Sequence, residues 1–233
     1  MSSIVLSPGA TGAAAFTIEA PSTATSRVIT LPDATDTLVG KATTDTLTNK
    51  TLTSPVLTTP ALGTPASGDL TNCTNKVILG TEQATTSGTS IDFTGLPSGV
   101  KRITVMFNAV STNGSARVLI QIGSGGVDTT GYTAGSYYLQ TSGSNGFLAV
   151  TNGFVVYWDS SGAYRSGVMQ LNLMNSSTNL WASDHTIIES SSGGSIVGAG
   201  VNTLSGVLDR VRITTTNGTD TFDAGEINIL YES

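Results

Sequence analysis

Charge is scarce in this sequence. Ten Lys and Arg and sixteen Asp and Glu make up 11% of the 233 residues, against about 25% in an average soluble protein. The surface must therefore be wetted mainly by hydroxyls, amides and backbone. Basic residues are outnumbered by acids in both residues 1–80 and 81–233, and they are too scattered to replace the counterions of a nucleic acid or to hold an anionic membrane. Neither is an expected partner. The lone Cys73 excludes an intrachain disulfide framework, and with the single His185 it excludes a Cys/His metal site. No apolar run approaches the roughly 18 to 20 residues of a membrane span, so no membrane insertion is expected. The opening Met1-Ser2-Ser3-Ile4-Val5-Leu6 lacks the charged start and long apolar stretch of a secretory signal. No cofactor is expected either.

The residues that are present are unevenly spread. Six of the seven prolines fall in the first 65 residues, whereas of the fourteen aromatics only Phe16 precedes residue 92. Residues 1–80 hold 18 threonines and no helical apolar period, and β-branched Thr with repeated Pro disfavours helix. The chain reads as two parts, an extended region with little core of its own and a strand-rich remainder.

Within the first part lies a five-residue repeat: Thr46-Leu47-Thr48-Asn49-Lys50, Thr51-Leu52-Thr53-Ser54-Pro55, Val56-Leu57-Thr58-Thr59-Pro60 and Ala61-Leu62-Gly63-Thr64-Pro65. A five-residue period fits no regular element, since a residue repeating at that interval alternates faces on a strand and turns by 140° on an α-helix. One chain cannot cover its own leucines, but several copies around a common axis bury each ring of Leu47, Leu52, Leu57 and Leu62 in turn, as stacked repeats do. The competing reading is a Thr/Pro linker whose leucines are incidental. Earlier, Phe16–Pro21 and Arg27–Asp33 read as short strands stopped by proline.

The run Leu38-Val39-Gly40-Lys41-Ala42-Thr43-Thr44-Asp45-Thr46-Leu47-Thr48-Asn49-Lys50-Thr51-Leu52-Thr53-Ser54-Pro55, continuing to Thr74, resembles a segment common in bacteriophage tail fibre and related virion fibre proteins. The ending from Leu208 to Tyr231 is similar to the close of their C-terminal β domains. The resemblance implies a homotrimeric, non-enzymatic structural protein at the virion surface, assembled in the host cytoplasm and released by lysis. In this expectation residues 1–40 attach to another virion protein, 41–80 form the shaft and 81–233 form a head that meets a host-surface glycan or protein receptor. A tail fibre is the first reading. A capsid head fibre or decoration protein is the second, and a glycan-degrading tailspike the third.

The expected fold is all-β: an extended trimeric attachment and shaft, then an antiparallel β-sandwich head, jelly-roll-like, of eight to ten strands. Ile103, Val105, Phe107 and Ala109 alternate with polar neighbours, then Ser111–Ser115 leads to Val118, Ile120 and Ile122, which predicts a hairpin closed by Asn113-Gly114. Further strands are expected near 147–150, 154–158, 163–174, 185–189, 207–215 and 226–231, with Trp158 in the core.

Chemistry is thinly supported. His185 follows Asp184, but neighbours on a strand face opposite ways and cannot form an acid–histidine pair, and there is no Gly-x-Ser-x-Gly elbow. The carboxylate pairs Asp220/Asp223 and Asp184/Glu189, and the calcium candidates Asp33/Asp36, are too sparse for a glycosidase or hard-cation site to be assigned. Catalytic and metal-binding residues are therefore expected to be none. Gly131-Tyr132-Thr133-Ala134-Gly135-Ser136-Tyr137-Tyr138 reads as an exposed loop rich in aromatic faces and hydroxyls, and Tyr164 follows a turn. Tyr132, Tyr137, Tyr138 and Tyr164 are thus the candidate receptor contacts, packing between neighbouring heads being the alternative.

Overall fold

The computed structural model describes residues 76–140, 145–157, 160–190 and 193–233, with residues 51, 53 and 56 singly. The shaft leucines 47, 52, 57 and 62, the attachment strands and Trp158 lie outside the described residues. Along these residues run β1 (Val77–Leu79), β2 (Gln83–Ala84), β3 (Ile91–Thr94), β4 (Arg102–Thr112), β5 (Val118–Gly123), β6 (Thr133–Leu139) and β7 (Gly146–Val150). They continue as β8 (Phe154–Val156), β9 (Arg165–Asn175), β10 (Leu180–Glu189), β11 (Ser195–Thr203), β12 (Arg210–Thr215) and β13 (Phe222–Glu232).

The strands form two antiparallel sheets, as expected of a β-sandwich. The larger has the order β1-β13-β4-β9-β10-β11-β6-β7, with β2 also on β13; the smaller is β3-β12-β5-β8. Alternation drives this arrangement. On β4, Ile103, Val105 and Phe107 are buried while Arg102, Thr104, Met106 and Asn108 face away. On β10, Trp181, Ser183, His185, Ile187 and Glu189 are buried between outward residues. The core is closed by Ile103, Val105, Met169, Leu171, Ile187, Ile196 and Ile229 from one sheet and Val118, Ile120, Ile122, Val211, Ile213 and Phe154 from the other. Each such side chain contributes roughly 1.5–3 kcal/mol on burial.

Two expectations are corrected. Asn113-Gly114 does not close a hairpin: β4 pairs with β13 and β9, while β5 belongs to the other sheet and pairs with β12 and β8. The intervening loop crosses between sheets and docks on the turn before β13. There Asn113 exchanges bonds with Thr221, and the Ala116 N–H donates to Asp220 Oδ2 at 2.8 Å. The second correction concerns residues 133–139, expected as a loop but folded as β6 between β11 and β7. Ala134, Ser136 and Tyr138 face inward there and Thr133, Tyr137 and Leu139 outward. The sheet also takes in Val77–Leu79, N-terminal to the expected start of the head at residue 81.

Candidate functional site

Burial divides the four candidate tyrosines. Tyr132 and Tyr138 are each only 1% exposed. The Tyr132 hydroxyl accepts the Ile122 N–H at 2.8 Å and lies 3.1 Å from the Asp128 carbonyl, and the ring meets Phe154 edge-on at 5.0 Å. Burial pushes its hydroxyl pKa up. Tyr138 packs so tightly under Gly194 that a Cβ there would lie 2.2 Å from its ring. These two rings belong to the core, so the expectation that they form part of a surface loop is corrected.

Tyr137 and Tyr164 remain 49% and 46% exposed. Tyr137 points outward from β6, and its cross-strand neighbour on β7 is Phe147, 54% exposed, with ring centroids 4.4 Å apart at 33°. Sequence reasoning placed Phe147 on a strand but did not single it out, because nothing local reveals which residue faces Tyr137. Gly135 makes room for it: a Cβ there would lie 2.9 Å from the Phe147 ring.

The pair sits at one margin of a broad face. Register aligns Phe147, Tyr137, Val197, Thr186, Val168, Met106 and Asn228 in one row across seven strands. Leu139, Ser195, Ile188 and Ser166 form the adjacent row. Neither row carries a charge. On the other side, Ala149, Gly135, Ala199, Asp184, Gln170, Thr104, Leu230 and Leu79 follow in order, so Asp184 is the one acidic or basic residue in the three rows. Such a face offers apolar and aromatic contact with hydroxyls and amides between, suited to a neutral sugar or a protein surface.

The titratable groups weighed for catalysis are placed otherwise. His185 is buried on the inner face of β10, with Asp184 exposed on the opposite face. Its Nε2 lies 3.1 Å from Ser136 Oγ, which itself donates to the Val197 carbonyl at 3.2 Å and accepts the Tyr157 N–H at 3.2 Å. Among the described residues, Nδ1 is buried without a hydrogen-bond partner. Desolvation lowers the His185 pKa from 6.5 to about 4. A neutral, enclosed imidazole hydrogen-bonded to Ser136 braces the core, and Asp184, its neighbour in sequence, faces the other way.

Glu189 is buried opposite Arg165, its register partner on β9, and so does not face Asp184. Asp220 accepts bonds from the Ala116 N–H and Asn217 Nδ2, which anchors the crossing loop, while Asp223 is exposed. Among the described residues, no three His, Cys, Asp or Glu side chains converge as metal ligands. No protein-family model, curated protein or solved structure matches this chain.

Proposed function

We infer that this chain is a structural, non-enzymatic subunit of a bacteriophage virion fibre, most simply a tail fibre. Three copies join through the leucine repeat, and the β-sandwich head meets a host-surface glycan or protein receptor. The N-terminal region attaches to another virion protein, which places the chain on the virion surface. The observation that supports receptor contact is the Tyr137–Phe147 pair, two large rings kept out of the core and stacked on an uncharged face. Rigid aromatic area of this kind binds at low conformational cost, and three heads on one fibre convert a weak single-site contact into avidity on a dense surface. Tyr164 belongs to the same reading; Tyr132 and Tyr138 leave it because they are enclosed.

Adsorption of the labelled full-length chain to host cells tests this. Tyr137→Ala and Phe147→Ala should each lower retention at least tenfold with thermal unfolding unchanged; undiminished retention overturns the receptor assignment. Gold-labelled antibody against the head, viewed on virions, should mark the tips of tail appendages. Label on capsid facets would favour the decoration reading, and unlabelled virions would overturn the fibre reading itself.

A further inference from the structure

We propose that the outer face of the large sheet over β1, β13, β4, β9 and β10 is the surface on which neighbouring copies of this chain pack. The inference rests on the reading of the chain as a multi-copy fibre subunit and adds which face of the head joins the copies. Outward apolar side chains step diagonally across the sheet from its start, Val77 and Leu79 on β1, then Leu230, Met106, Val168 and Ile188 on the strands that follow, with Thr104, Asn228, Gln170 and Thr186 beside them. Scattered exposed apolar residues are ordinary, but a contiguous field of them marks an interaction surface.

The charges on this face are few. Arg102 pairs with Glu232, while Glu226, which accepts a bond from the neutral Asn108 amide, and Asp184 remain as acidic residues on it. The size is sufficient. β13, β4 and β9 have 11 residues each, β10 has 10 and β1 has 3; at about 3.3 Å per residue and 4.8 Å between strands, the five strands present about 730 Å². A standard stable interface takes about 800 Å² from each partner.

Covalent continuity identifies the occupant. The leucine repeat, which in this reading needs neighbouring copies to cover its side chains, is tethered through residues 66–76 to β1. The face that begins at β1 is therefore the part of the head linked most directly to that repeat. Tyr137 and Phe147 lie beyond this face on β6 and β7, two and three strand spacings from β10, or about 10 and 14 Å.

The test uses the full chain with Cys73→Ser, into which Leu79→Cys, Val168→Cys or, as reference, Val207→Cys is introduced. Val207 is an exposed loop residue between β11 and β12. Maleimide should label positions 79 and 168 at least tenfold more slowly than 207 in the native assembly, and equally fast after denaturation. In parallel, Met106→Lys with Val168→Lys should loosen or dissociate the heads while retaining the β-sheet circular dichroism of the parent. An oligomer whose cysteines at 79 and 168 react as fast as at 207 overturns this inference and leaves the fibre reading intact; a monomeric parent chain overturns both.

Discussion

Arg165 on β9 faces Glu189 on β10 with both side chains fully buried. Desolvation lowers the Arg165 pKa to about 10, and the attraction of Glu189, and after it Asp223, works against that fall. A buried charge is tolerable only while its partner is present. Glu189→Gln should therefore cost about 3–5 kcal/mol in denaturant unfolding of the head. Arg165→Met with Glu189→Leu should recover most of that loss, because it removes both charges and keeps the volume. If Glu189→Gln unfolds at the parental midpoint, the pair is not a stability element.

His185 gives the head a pH dependence of definite sign. The unfolded imidazole takes a proton near pH 6.5, but the buried one resists until about pH 4. Between those values the unfolded chain binds more protons than the folded one, so stability falls as the pH drops through this window and the loss levels off below about 4. The difference corresponds to on the order of 3 kcal/mol. Carboxylates titrate in the same range, so the measurement is a comparison: His185→Asn should lose less stability than the parent between pH 6.5 and 4. Parallel pH profiles would contradict the burial of a neutral ring.

Gly198 is required beneath that ring. A Cβ at this position would lie 2.4 Å from His185 Cε1 and 2.6 Å from the Gly135 carbonyl oxygen, whereas at Gly126 it would meet nothing within 4 Å. Gly198→Ala should cost about 1–3 kcal/mol through overpacking, and Gly126→Ala should be close to neutral in the same thermal unfolding assay. Equal effects would mean that the β10–β11–β6 region yields more readily than its spacing indicates.

What the sequence made legible follows from where local pattern carries the signal. The alternation of Ile103, Val105 and Phe107 reads directly as β4, and the two-sheet architecture follows from many such segments. Partner choice is not local. The same alternation before and after Asn113-Gly114 suits a hairpin or a crossing between sheets, and only the docking on Thr221 and Asp220 decides. β6 and β11 were obscured because Gly135, Gly198 and Gly200 stand where apolar side chains would mark a strand, yet these glycines let rings and neighbouring backbone approach. Reading residues 131–138 as a loop erased the parity that separates buried Tyr138 from outward Tyr137.

The difference between an enclosed and an outward tyrosine is itself measurable. Tyr132→Phe removes the hydroxyl that accepts the buried Ile122 N–H and should cost about 1–3 kcal/mol, since that donor is left without its partner. Tyr137→Phe removes a hydroxyl from a half-exposed ring and should leave the unfolding midpoint within experimental error. The reverse ranking would mean that the two rings have exchanged roles.

The proposed fibre requires that copies of this chain associate, through the leucine repeat and through the outer face of the large sheet. The decisive measurement is the solution mass of the purified full-length chain by light scattering across a dilution series. Three times the 23.7 kDa of one chain, unchanged on dilution, is the predicted result. A mass of 23.7 kDa at every concentration, with the β-sheet spectrum intact, would contradict it.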